Sequence, residues 1–222
     1  MRAGQALRGV PLHRHLSAFT RTDLLIVVFV CFALGGILLA SGFFRSQRTV
    51  SHLTCAMNLR QIGMTGKGFS ESHDGLYPWG LTTNNEGSLE FASSGGQMFR
   101  HFQCQSNYIV AQVVLVCPQD TRRAATNWAT MANTNVSYFV GLDSDPQRPL
   151  SIMAGDRNIT RASGVVLQCN SSAPPQWVSG MGLHGDKGHV VFSDGHVEEL
   201  DSAGLSNALQ RAGMSTNRFA VP

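Results

Sequence analysis

Between Leu24 and Phe44 the chain reads LLIVVFVCFALGGILLASGFF, 21 residues without a charge. At about 1.5 Å of rise per residue, this run makes a helix of roughly 31 Å, close to the hydrocarbon thickness of a bilayer. No other segment of the 222-residue chain approaches it. The sequence therefore predicts a single membrane crossing, followed by one domain of ordinary size. A cleaved secretory signal fits poorly, because its apolar core should be about 7–15 residues long and end at a small-x-small site. Leu38-Leu39-Ala40 is a poor site of that kind, so the helix is expected to stay in the membrane.

Residues 1–18, MRAGQALRGVPLHRHLSA, are basic and end in small residues, and they read as a leader peptide. Arg2, Arg8 and Arg14 lie there without an acid, and the rest of the chain carries 14 basic against 14 acidic residues. The formal charge of +3 thus comes from the leader and is not the clustered basic face that nucleic-acid binding requires. Arg21 adds to the leader side, while Arg45, Arg48 and Arg60 follow the apolar run. This is a slight positive-inside bias toward a cytoplasmic N-terminus.

After Phe44 an apolar stripe through Val50, Leu53, Cys55, Met57, Leu59, Ile62 and Met64 continues the helical pattern. Gly63, Gly66 and Gly68 each cost about 1 kcal/mol against alanine, and HDGLYP (His73 to Pro78) stops the helix in a turn. A helix over about 20–70 would be roughly 75 Å long, which describes a stalk. The division expected is a leader over 1–18, a transmembrane and stalk helix over 19–72, and an extracytoplasmic α+β domain over 73–222.

In that domain YIVAQVVLV (Tyr108 to Val116), SYFVGL (Ser137 to Leu142) and GVVLQC (Gly164 to Cys169) have strand composition and turn-forming flanks. GHVVFSDGHVEEL (Gly188 to Leu200) predicts a hairpin with Asp194-Gly195 as a two-residue turn. That register pairs Ser193 with His196, Phe192 with Val197 and Val190 with Glu199, and puts Val190, Phe192 and Val197 on one core-facing side. SAGLSNALQRAG (Ser202 to Gly213) predicts a short amphipathic helix with Ser202 as its N-cap.

Cys31 lies within the apolar run as a small filler. Cys55, Cys104, Cys117 and Cys169 allow three pairings, and an oxidising compartment would favour one or two disulfides among them. His184, His189, His196 and Asp194 invite a metal site, but in the register above the histidines are spread along the ladder. Ligands of one ion must approach to about 2.0–2.1 Å, so turn and surface roles are expected instead and no metal ligand is assigned. Asp143, Asp145 and Asp156 could offer oxygens to calcium, without EF-hand spacing. No G-x-S-x-G, H-E-x-x-H or phosphate-binding glycine loop is present, and nothing singles out Cys117 or His73 as half of a nucleophile–base pair. The chain is not expected to be an enzyme.

The residues around the apolar run carry a resemblance. Ala18 is followed by Phe19-Thr20-Arg21-Thr22-Asp23 and then the hydrophobic stretch, which resembles the N-terminal cleavage and methylation segment of type IV prepilins and pseudopilins. CAMNLRQIGMTGKGFSESHDGLYP (Cys55 to Pro78) is similar to the stalk end of prepilin-like proteins of planctomycetes and verrucomicrobia. His184, followed by nine residues and Asp194-Gly195, looks like that group's H-x9-D-G signature. VCPQD (Val116 to Asp120), SYFVGL and AGDRNI also resemble the group.

The resemblance implies a pilin-like α+β fold, with a long N-terminal helix packed on a small antiparallel sheet. It also implies cleavage by a prepilin peptidase between Ala18 and Phe19, methylation of Phe19, and a periplasmic domain anchored in a bacterial inner membrane. Asp23 takes the place of the family's glutamate, which pairs with a neighbouring subunit's N-terminal amine, since an acid at an apolar helix is costly unless paired. Asp23 and Arg21 also suit a simple headgroup-zone boundary. The implied function is a structural subunit of a type II secretion or type IV pilus-like system that associates with itself or other pseudopilins. The alternative is a monomeric tethered envelope-binding domain that uses the same targeting segment.

Overall fold

The computed structural model describes residues 20–160, 162–170, 172–181 and 183–222, and for residues 38–49 the backbone only. The chain divides into two compact units, one ending at Ser46 and one spanning Gln47–Pro222. Helix α1 (Arg21–Glu71) begins in the first. Its start is closed by a reciprocal cap: the Thr20 backbone N–H and hydroxyl donate to Asp23 Oδ2 at 3.0 and 2.7 Å, and the Asp23 N–H donates to Thr20 Oγ1 at 3.2 Å. The described apolar side chains that follow are exposed, Phe29 at 75% and Phe32 at 78%. Among the described residues no helix is long and apolar enough to cross a membrane. Residues 38–44, the last third of the apolar run, lie outside the described side chains, and the leader and the Ala18-Phe19 junction lie outside the described residues altogether.

The second unit is α+β. In α1, Cys55, Leu59, Ile62 and Phe69 are buried, a spacing that keeps one helical face inward. The helix stops at Glu71, and the chain turns through Asp74 (φ 53°) and Gly75 (φ 73°) as HDGLYP implies. Short 3-10 turns and a four-residue helix, α2 (Arg100–Gln103), fill the path to the sheet. Among the described residues six strands form one antiparallel sheet: β1 (Tyr138–Gly141), β2 (Ile152–Asp156), β3 (Val165–Cys169), β4 (Lys187–Phe192), β5 (Val197–Asp201) and β6 (Asn217–Val221), in the order β3-β6-β1-β2-β4-β5.

The sheet is covered on both faces. Tyr138, Val140, Met153, Val191 and Ala220 join Cys55, Leu59 and Ile62 of α1 in one cluster. Phe139, Ile152, Val190, Phe192 and Phe219 pack with Leu205 and Leu209 of α3 (Ser202–Ala212) in the other. The alternation along β1, β4 and β6 is the period-two pattern of a strand whose both sides are buried.

Three sequence expectations change. The apolar run Tyr108–Val116 forms no strand: Gln112–Leu115 is a 3-10 turn, while β2 and β6 supply central strands that the pattern did not mark. The cap of α3 is Asp201, whose carboxylate accepts from Gly204 N at 2.7 Å, rather than Ser202; Gly213 closes the other end at φ 66°. The hairpin register also differs by one residue. Val191 pairs with Val197 and His189 with Glu199, and the Phe192 N–H donates to His196 O at 3.0 Å across a three-residue loop. Gly195 alone among the loop residues takes positive φ, 91°, so the turn is a three-residue type and not a two-residue one. A one-residue slip exchanges the faces of a strand. Here it moves Val197 to the face of Val191, toward α1, and away from Val190 and Phe192, which face α3.

The stalk glycines mark close approach. A Cβ on Gly63 would lie 2.7 Å from Val191 Cγ2, a side chain with no exposure. Gly63→Ala is expected to destabilise the domain by about 1–2 kcal/mol in urea unfolding, overpacking outweighing the gain in helix propensity. No change, or stabilisation, would contradict this packing.

His101 provides a pH test. It is fully buried, with Nδ1 2.7 Å from Ser88 Oγ and Nε2 without a protein partner, and burial lowers its pKa from 6.5 to about 4. Its folded pKa lies below its unfolded one, so the unfolded state binds more protons between those values. Stability is therefore lost as pH falls from 6.5 toward 4, by up to about 3 kcal/mol. His101→Gln, which cannot titrate, should flatten this part of the stability–pH curve; an unchanged slope would refute the assignment.

Candidate functional site

Where α1 meets the sheet, five separate stretches bring chemically active side chains together. Cys55 projects from α1, Cys117 from the loop before β1, and Asp156 from the end of β2. His184 lies in the loop before β4, and His189 within β4. Cys55, Cys117 and Asp156 have no exposure, and the His184 side chain has none either. Cys55 Sγ donates to Asp156 Oδ1 at 3.1 Å and lies 3.3 Å from the Tyr138 hydroxyl. Cys117 Sγ is 3.3 Å from His184 Nε2, which is itself 3.5 Å from Asp156 Oδ2. The His189 backbone N–H donates to the same Oδ2 at 2.7 Å, and its Nδ1 lies 3.1 Å away. One ligand atom from each of Cys55, Asp156, His184 and His189 lies within 4.8 Å of the other three.

Neighbouring residues in the same motifs do the positioning. Asn58, one helical turn after Cys55, donates from Nδ2 to Val116 O at 3.1 Å and so holds the loop beside Cys117 against α1. Asp120, three residues after Cys117, receives Arg157 in a two-pronged ion pair at 2.7 and 2.8 Å. Arg157 directly follows Asp156, which fixes the Cys117 loop to the end of β2. Asn158 Nδ2 donates to Lys187 O at 2.9 Å and Gly185 O at 3.3 Å, anchoring the loop that carries His184. The CAMN, VCPQD and AGDRN segments and the first residue of H-x9-D-G thus meet at one point.

The electrostatics follow from burial and contact. Burial pushes the Cys55 thiol far up. The neighbouring Cys55 thiol and, against the cost of burial, the hydrogen bond from His184 bring the Cys117 thiol down to about 6. Burial opposes charge on His184, but Cys117 and Asp156 outweigh it and raise its pKa. The His52 ring lies tilted against His184, with ring centroids 4.3 Å apart, and sits 3.2 Å from Glu199; burial and the His184 charge lower its pKa. Cys117, His184 and Asp156 do not form a catalytic relay. In such a relay the acid orients the imidazole nitrogen opposite the nucleophile, whereas Cys117 and Asp156 both approach Nε2 and Nδ1 has no partner among the described residues. The clefts described at the surface are lined elsewhere, by Lys67, Glu71 and Asp194 in one and Gln61, Tyr108 and Val110 in another.

Other sequence-selected residues lie apart from this cluster. Asp194 caps its own turn by accepting from His196, and Gly195 supplies the left-handed residue. Both carboxylate oxygens of Asp143 accept from Arg218, Asp145 caps Gln147 N, and Asp156 is in the buried cluster. The three aspartates considered for calcium therefore go to separate partners. The cysteines considered for disulfides are free thiols: Cys104 donates to His101 O and Cys169 to Asn217 O, while Cys55 and Cys117 are neighbours. Sequence reading grouped His184 with His196 and missed Cys55, Cys117 and Asp156 as its partners. The recurring Asn and Asp in CAMN, VCPQD and AGDRN were the available signal. No family model matches the chain, and comparison with curated proteins and with solved structures returns no match.

Proposed function

We propose that this chain is a prepilin-like structural subunit, anchored in a bacterial inner membrane by residues 24–44 and carrying an α+β domain on the periplasmic side. The observation that carries the reading is the division of labour within α1. Cys55, Leu59, Ile62 and Phe69 are core residues, whereas the large apolar side chains from Leu24 to Ile37 are exposed among the described residues. An apolar helical surface of this extent is a surface for lipid or for like helices. The 21 uncharged residues from Leu24 to Phe44 and the order Ala18-Phe19 through Asp23 support the same reading. The partners are then a prepilin peptidase, the membrane, and copies of this chain or related pseudopilins in a type II secretion or pilus-like assembly.

One observation favours a second reading, a tethered monomer that recognises an envelope ligand. The Asp23 carboxylate already closes its own helix through Thr20, so no neighbour's amine is required to satisfy it. Two measurements in the native host decide. Mass spectrometry should find a mature chain beginning at N-methylated Phe19; a chain retaining Met1 would reject peptidase processing. Cysteine crosslinking along residues 24–60 should give a ladder of multimers that collapses in Asp23→Ala, whereas monomers throughout would reject assembly and leave the tethered domain.

A further inference from the structure

The Cys55 cluster has more ligand-type atoms than a simple hydrogen-bonded core needs, and they converge. We propose that Cys55, Cys117, Asp156 and His184 bind one zinc ion, and that this ion joins α1 to the sheet. The argument is geometric. In a tetrahedral zinc site with bonds of about 2.0–2.3 Å, ligand atoms lie roughly 3.3–3.8 Å from one another. The contacts Cys55 Sγ–Asp156 Oδ1, Asp156 Oδ2–His184 Nε2 and His184 Nε2–Cys117 Sγ measure 3.1, 3.5 and 3.3 Å. They string the four groups along one line of contacts, and ligand atoms of Cys55, Asp156 and His184 all lie within 4.8 Å of one another.

Three alternatives explain less. A disulfide between Cys55 and Cys117 uses two of the groups and leaves Asp156, a carboxylate without exposure, facing His184. A proton on His184 Nε2 can serve Cys117 or Asp156, yet both approach that atom; a cation bound there satisfies both. A nucleophilic thiol would need a path to substrate, and Cys117 has no exposure.

His189 is the fifth group, and its role differs. Its backbone N–H and ring both engage Asp156 Oδ2. That leaves Oδ1, on the Cys55 side, for the metal. His189 is thus a positioning residue for the carboxylate, as the Tyr138 hydroxyl is for the Cys55 sulfur. Two thiolates with an imidazole select a soft or borderline ion over calcium or magnesium, and a sealed four-ligand set belongs to a structural rather than a catalytic zinc. On binding, both thiols lose their protons to solvent and the sulfurs donate to the metal, without change of oxidation state.

The test uses the full chain, purified in mild detergent and analysed for zinc, thiols and intact mass. About one zinc per chain is expected, and cobalt(II) exchanged into the site should give a thiolate-to-metal charge-transfer band. Cys55→Ser and Cys117→Ser should each lose the zinc and the band, while Cys169→Ser keeps both. His189→Gln should retain the stoichiometry but weaken zinc affinity by about 10–100-fold. Removal of zinc by a chelator should lower the urea midpoint of the unsubstituted chain. Should the serine variants fail to fold, the cobalt spectrum of the unsubstituted chain decides. A chain that neither carries zinc nor gives the cobalt band overturns the proposal, as does an intact mass showing a Cys55–Cys117 disulfide.

Discussion

A carboxylate without solvent exposure stands at the end of β2, under α1, and the surrounding structure is arranged around it. Burying an ionised carboxylate costs several kcal/mol unless donors or a cation compensate it. Asp156 receives them from α1 through Cys55, from β4 through the His189 backbone and ring, and from the preceding loop through His184. Apart from His184 and His189, which lie five residues apart, these groups are distant from one another in sequence. Each is held by a residue of a neighbouring motif: Asn58 beside Cys55 holds the Cys117 loop, Asp120 beside Cys117 holds Arg157 at the end of β2, and Asn158 beside Asp156 holds the His184 loop. Removing one member would leave the rest buried and poorly matched, which couples the helix to the sheet.

The same junction depends on close packing. Gly63 lets α1 approach Val191 of β4, and the two-residue alternation of the strand puts His189 on the same face as Val191. Polar cluster and apolar contact therefore share a strand face. The helix supplies Cys55, Leu59 and Ile62 from one face, so a single rotation of α1 would displace the thiol and the core together.

Much of this architecture was legible in the chain. Turn chemistry at HDGLYP, Asp194-Gly195 and Gly213 set the ends of α1, the β4–β5 hairpin and α3, because only particular residues tolerate positive φ. Strands β1, β3, β4 and β5 were marked by short β-branched or aromatic runs. Strand β2, IMAGD, was not, because its glycine and aspartate serve packing and the cluster rather than strand propensity. The hairpin was found with the wrong register, since Asp-Gly suits two-residue and three-residue loops alike. The site was hidden because the face of β4 that carries His189 was read as the solvent side, whereas α1 covers it. The remaining distance was tertiary, because nothing local tells Cys117 that Cys55, rather than Cys104 or Cys169, is its neighbour.

The central claim is that the domain half of α1 belongs to the same cooperative core as the sheet. Native-state hydrogen exchange on the full chain in detergent tests it most directly. The account predicts that the amides of Leu59 and Ile62 exchange only through the global opening that also exposes Val140 in β1 and Val190 in β4, with equal free energies. Exchange of Leu59 and Ile62 at clearly lower free energy, while the strands stay protected, would contradict it.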